Sequence, residues 1–144
     1  MTLRSKSTSL FTAFVFLSSA AFFSCSGDDD NCAPYDADEL PAANFVIRVN
    51  ESNFTNVPAT IHVGDRVEWQ NRFRESRTVI SGEGPDDPER GQLFSETLLP
   101  YCSGEAIGGR FQMVFTEPDT IHFYNDILPP GFVGNFHGMF IVLP

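Results

Sequence analysis

His137-Gly138-Met139, near the C-terminal end of a 144-residue chain, places an imidazole and a thioether two residues apart. Both side chains can bind a metal ion, and on a strand two residues apart they share a face. The same spacing suits side chains that pack a loop onto a core. His62 and His122 are further candidate donors. Each alternates with apolar neighbours, Ile61 and Val63 or Ile121 and Phe123, and so reads as an outward strand histidine. Arg72, Phe73, Arg74 and Arg77 form a second constellation. Clustered guanidiniums beside an aromatic ring suit a partner's carboxylate or a glycan, and equally a solvated turn. Hydrolytic chemistry finds no support. Ser103 in Cys-Ser-Gly is not a nucleophile elbow, and Glu51, Glu68 and Glu96 do not make a glycosidase pair. The chain is therefore expected not to be an enzyme. The acids of residues 82–91, GEGPDDPERG, lack the alternating spacing of a calcium loop.

The three cysteines have separate roles to fill. Residues 1–24 follow the secretory pattern, with Arg4 and Lys6 ahead of an apolar run at 10–23 that is too short to span a bilayer stably. Phe22-Phe23-Ser24-Cys25 resembles a bacterial lipobox, with Phe in two of the usual Leu and small-residue places, so Cys25 is the expected lipidation site. The acidic Ser26-Gly27-Asp28-Asp29-Asp30-Asn31 that follows looks like the tether of a surface lipoprotein. That address, in the periplasm or on the outer-membrane surface, lies where disulfides persist, so Cys32 and Cys102 are expected to pair. A reactive or metal-binding thiol is the weaker alternative, because no Cys-x-x-Cys or Cys/His spacing is present. From Cys25 onward seven Arg face nineteen Asp and Glu, a formal charge of −12, with no Lys. Such a surface argues against nucleic acid and against anionic lipid as partners, since both require clustered cations. The membrane would be met through the lipid alone.

The elements that must carry these residues read as β throughout. Residues 25–41 are an acidic, Pro-containing tether and arm, and a single domain is expected over 42–144. Residues 44–50 alternate Phe45, Ile47 and Val49 against Val46 and Arg48, as a half-buried strand does. Residues 60–63 and 66–70 flank Gly64-Asp65, which reads as a hairpin-like turn with Ile61, Val63, Val67 and Trp69 facing inward. Further strands are expected at 77–80, 92–94, 110–115, 120–124 and 139–143. About eight short strands without helical periodicity predict a β-sandwich or barrel, with fifteen Phe and one Trp giving its core bulk.

Several stretches in this order resemble a plastocyanin-like cupredoxin, the type 1 blue copper protein family, over residues 54–142. PATIHVGDRVEWQN is similar to the opening in which a Gly-Asp turn precedes Val-x-Trp-x-Asn. GGRFQMVFTEPDT is similar to the Phe-rich strand before the ligand strand, and Thr120-Ile121-His122-Phe123-Tyr124-Asn125 to the strand that delivers a Cys to copper. The resemblance implies a Greek-key sandwich and a copper site made by one Cys, two His and one Met. This chain departs from that set. Arg77 in Arg77-Thr78-Val79 stands where the family has its first His, and Asn125 stands in the Cys position. A guanidinium keeps its charge near neutral pH and repels a cation, and an amide oxygen is a hard, weak donor. His137 and Met139 are left as heirs of the second His and axial Met, with closer spacing than the family uses. The expectation is a lipid-anchored cupredoxin-like domain with a degenerate copper site and no cofactor, acting as a binding or interaction module with a protein or glycan partner. Arg77 would be an internal cation, paired with Asp126 or a neighbouring acid. The alternative is copper handling or electron transfer through His137 and Met139, with His122 or His62 assisting.

Overall fold

The computed structural model describes residues 31–33, 36, 40–128, 130–132 and 136–144. The expected leader at 1–24 and Cys25 lie outside those residues. Nine strands are described: β1 Phe45–Val49, β2 Phe54–Thr55, β3 Ala59–His62, β4 Arg66–Asn71, β5 Arg77–Ser81, β6 Ser95–Leu98, β7 Arg110–Val114, β8 Asp119–Tyr124 and β9 His137–Leu143. They form two facing mixed sheets in the orders β2-β1-β4-β7 and β3-β9-β8-β5-β6. The architecture is the all-β sandwich that the alternating runs imply.

Period-2 alternation builds the shared core. Val67 and Trp69 of β4, Ile47 and Val49 of β1, Ile121 and Phe123 of β8, and Phe140 and Val142 of β9 are all buried. Trp69 sits at the centre, with ring centroids of Phe94, Phe111, Phe123 and Phe140 at 5.1, 5.4, 5.6 and 6.1 Å. Edge-to-face and tilted aromatic contacts of this kind add to the area burial that stabilises the sandwich. In the antiparallel ladder of β8 and β9, Phe123 lies opposite Gly138. A Cβ at position 138 would fall 2.4 Å from the Phe123 ring, so only glycine fits beneath it.

Two sequence expectations need correction. The Gly64-Asp65 turn does not close a hairpin. β3 pairs in parallel with β9, β4 pairs in parallel with β1, and the turn carries the chain from one sheet to the other. The Asp65 carboxylate accepts the His62 N–H at 2.8 Å, which tightens the corner, and Val63 turns outward at 38 % exposure. The strand expected at 92–94 is instead a turn that delivers Phe94 to the core, and the ladder beside β5 begins at Ser95. The two-residue β2 is too short to leave a pattern in sequence.

The arm before the domain is fastened to the four-stranded sheet. Cys32 and Cys102 form a disulfide, Ala33 bridges Tyr101, and its N–H donates to the Pro100 carbonyl at 2.8 Å. Arg110 donates to the Asp36 carbonyl at 2.7 Å, and Gln112 donates to the Pro41 carbonyl at 2.9 Å. Beneath it, on the outward side of β4, the Glu68 carboxylate is 2 % exposed. It accepts from Arg110 Nε at 2.8 Å and Nη2 at 3.0 Å, from Gln70 at 2.6 Å, and from Gln112. Burial pushes this carboxyl up, but the hydrogen bonds from Arg110, Gln70 and Gln112 and the charge of Arg110 outweigh it and hold the group below its usual value. A carboxyl depressed in the folded state stabilises the fold above its unfolded pKa of about 4.3 and ceases to do so as pH falls through the lower folded value. Urea midpoints should therefore drop on acidification below about pH 4.3 in the wild type, and Glu68→Gln should flatten that limb. Parallel wild-type and variant profiles would contradict the assignment.

Candidate functional site

The four residues singled out by the sequence at the copper positions do not share one place. Arg77 opens β5 and Asn125 follows β8, and the two strands are adjacent in the second sheet. The Asn125 carbonyl oxygen accepts the Thr78 N–H at 2.7 Å and the Thr78 hydroxyl at 3.0 Å, and its amide donates to the Ile127 carbonyl at 2.6 Å. Asn125 is 3 % exposed, so this amide joins two chain segments from the interior. Its backbone N–H donates to the Phe136 carbonyl at 3.0 Å.

Arg77 has no exposed surface. Its guanidinium donates to the Ser76 carbonyl at 2.9 Å, the Glu51 carbonyl at 3.2 Å and the Glu75 carboxylate at 3.3 Å, and it lies 4.5 Å from the centroid of the Phe73 ring. Glu75 rather than Asp126 is therefore its acidic partner. Asp126 pairs with Arg90 at 2.9 Å and accepts the Thr78 hydroxyl at 2.6 Å. Because the Glu75 side chain is 58 % exposed, the ion pair itself adds little, and the carbonyls and the ring hold the cation.

His137 and Met139 stand elsewhere. In β9, Phe136, Gly138, Phe140 and Val142 face inward, which by strand alternation turns His137 and Met139 outward with Ile141 and Leu143. The buried Phe136 packs on Phe54 at 4.7 Å, beside Asn125, where the sequence reading had placed a ligand. That residue was missed although Phe136-x-Gly138-x-Phe140-x-Val142 carries the inward period plainly. His137 instead stacks on Tyr124 at 5.7 Å, and it shares a shallow groove of about 340 Å³ with His122, Met139, Gly138, Val57 and Pro58. His62, at the far end of β3 opposite Leu143, is not part of that groove. Among the described residues, no three of His, Cys, Asp and Glu gather as a metal site.

The arginine cluster also divides. Arg77 is removed from any accessible patch by its complete burial, a correction to its reading as a surface cation. The burial agrees with the other expectation for this residue, an internal cation paired with an acid, since long charged side chains are seldom fully buried unless paired. Arg72 donates to Gln70 at 2.9 Å and to the Ala106 carbonyl at 3.3 Å. Arg74 is exposed, donates from Nε to the Tyr101 hydroxyl at 2.9 Å, and lies over that ring at 6.0 Å. Tyr101 and Arg74 line a cleft with Cys32, Pro100, Ser103 and Glu105 beside the disulfide. The loop carrying the arginines is anchored by buried Asn71, whose amide reaches the carbonyls of Glu75, Leu98 and Leu99 at 2.9–3.0 Å and whose oxygen accepts the Phe73 N–H at 2.9 Å.

No protein-family model and no curated protein matches the sequence. Solved structures match by shape. A purple cupredoxin from Nitrosopumilus maritimus is 20% identical, with 69% of this chain and all of that one aligned at a TM-score of 0.54. Amicyanin from Paracoccus versutus is 19% identical, with 73% of this chain and 86% of that one aligned at a TM-score of 0.50. Likeness at such identities is a likeness of fold. This chain has the cupredoxin-like sandwich.

Proposed function

We propose that this cupredoxin-fold chain is a metal-free interaction module at the loop end where a plastocyanin-like protein would carry type 1 copper. It would be held in the bacterial envelope by a lipid on Cys25. The observation that carries the reading is the complete burial of Arg77 beside an Asn125 amide whose oxygen is already bonded to Thr78. A type 1 copper ion requires a thiolate and imidazoles as neighbours. The residues here do not fit it: a guanidinium, an amide engaged with the backbone, and the Phe136 ring supply neither. The lipoprotein address rests on the sequence of residues 1–30, and the acidic mature chain is consistent with an extracytoplasmic, soluble body.

At the same end, Arg72, Phe73 and Arg74 offer cationic and aromatic groups to a partner's carboxylate or to a glycan, with Arg74 the exposed member. The body would act through these loops, with the sandwich as a rigid mount. A photo-crosslinking residue at position 73, compared in cells with one at Thr60 on the opposite edge strand, tests the reading. An adduct at position 73 that disappears with Arg74→Glu is expected. Equal labelling at both positions, or labelling indifferent to Arg74→Glu, would overturn it.

A further inference from the structure

We propose that Asn53 is an N-glycosylation acceptor, modified as the chain emerges outside the cytoplasm and before the sandwich closes. The proposal rests on the extracytoplasmic address proposed above. Two Asn-x-Ser/Thr triplets, Asn50-Glu51-Ser52 and Asn53-Phe54-Thr55, follow one another in the chain. Such a triplet with a centre other than proline is the acceptor pattern of surface loops in exported proteins. Both asparagines lie in the turn between β1 and β2, which the Asn50 N–H closes by donating to the Asn53 carbonyl at 3.0 Å. The fold distinguishes them. The half-buried Asn50 spends its amide on Asn53 Oδ1 at 3.3 Å, whereas Asn53 is exposed and its Nδ2 meets no acceptor among the described residues. A glycan on Asn53 Nδ2 would extend into solvent and break no hydrogen bond of the finished domain.

A second, independent observation comes from Thr55. Its hydroxyl oxygen is buried and has no hydrogen-bond partner among the described residues. A hydroxyl so placed costs stability that valine, of the same shape, would not. The folded chain has no use for this oxygen, and the acceptor pattern does, because a hydroxyl is what Ser and Thr share at its third place. Phe54, between the two, is 5 % exposed and packs on Phe123 at 4.8 Å and Phe136 at 4.7 Å, so the triplet is readable only before closure. Transfer therefore comes first and the seating of β2 second. The Asn53 amide nitrogen attacks the anomeric carbon of a sugar carried on a polyprenyl diphosphate. The N–C bond forms, the bond from that carbon to the diphosphate oxygen breaks, and the amide proton passes to a base of the transferase. The exposed Glu51 carboxylate, two residues ahead, gives that enzyme a charge to hold. The modified turn borders the arginine loop, since the Glu51 carbonyl accepts from Arg77 at 3.2 Å and the Val49 carbonyl accepts the Arg72 N–H at 2.8 Å.

The test uses the full chain isolated from the cell that naturally makes it. Trypsin cleavage after Arg48 and Arg66 releases residues 49–66, which carry both triplets, and electron-transfer fragmentation places any glycan mass on one asparagine. A glycan on Asn53 of the wild type is expected, a readout that needs no variant. Asn53→Gln and Thr55→Val should each abolish it, while Thr55→Ser and Asn50→Gln should keep it. An unmodified wild-type peptide, a glycan on Asn50 instead, or a glycan retained in Thr55→Val would each overturn the proposal. Residues 25–48 of the same digest report the lipid on Cys25, which separates this failure from that of the address. A chain lipidated at Cys25 but bare at Asn53 overturns the glycosylation alone, and a chain that keeps residues 1–24 overturns the address and the glycosylation with it.

Discussion

Arg77→Ala is expected to lower unfolding stability by about 3–5 kcal/mol, the sum of a cavity left by a large buried side chain and carbonyls left without donors. The side chain has no exposed surface and fills the space between Phe73, Ser76 and Glu51. Truncation therefore removes packing, a cation over an aromatic face and the donors to two backbone oxygens together. Arg77→Met restores most of the volume and leaves only the polar loss, so its urea midpoint should fall between alanine and wild type. Arg90→Ala is the control. Its ion pair with Asp126 has side chains 42% and 35% exposed, and such pairs are worth about 0–1 kcal/mol. An Arg77→Ala variant no less stable than Arg90→Ala would contradict the structural role assigned to the buried guanidinium.

Replacing Cys32 and Cys102 together with serine should cost about 4 kcal/mol, from the chain entropy that a cross-link across 70 residues removes from the unfolded state. The structure adds a reason for the loss to be concentrated at one face. The arm that the disulfide pins contributes the Asp36 and Pro41 carbonyls to Arg110 and Gln112, the two residues that also bind Glu68. Backbone amides of β4 and β7 should accordingly gain hydrogen-exchange rate before those of β8 and β9 in the double variant. An unchanged urea midpoint would mean that the hydrogen bonds of the arm suffice without the cross-link.

Much of this fold is written in local alternation. Phe45-x-Ile47-x-Val49, Val67-x-Trp69 and Ile121-x-Phe123 each state which face is inward, and the cysteines identified their own pairing. What was not legible lies in non-local contacts. The Gly64-Asp65 segment has the composition of a hairpin turn, but the ladder partners of its flanking strands are β9 and β1, fixed by the packing of the two sheets and invisible in a window of ten residues. β6 reads Ser95-Glu96-Thr97-Leu98, an edge strand with three exposed side chains, and lacks the apolar signal that drew attention to Phe94 just before it. At the candidate site, Arg77 and Asn125 were recognised as the departures that matter. The acidic partner of Arg77 was open in sequence between Asp126 and a neighbouring acid, and the turn geometry of residues 73–76 decides for Glu75. His137 and Met139 were noticed for their chemistry, while Phe136, the residue that fills the interior beside Asn125, carries no chemical signal apart from its parity.

The most direct measurement is the visible absorption spectrum of the full chain after Cu(II) titration, with copper quantified on the protein that elutes from gel filtration. The absence of an intense blue or purple charge-transfer band is the expected result, because among the described residues no thiolate stands beside Arg77 and Asn125, and the thiols of Cys32 and Cys102 are consumed in their disulfide. An intense band accompanied by stoichiometric copper would contradict the account, since it would require a thiolate bound to the metal in a site that this arrangement of Arg77, Asn125 and Phe136 does not allow.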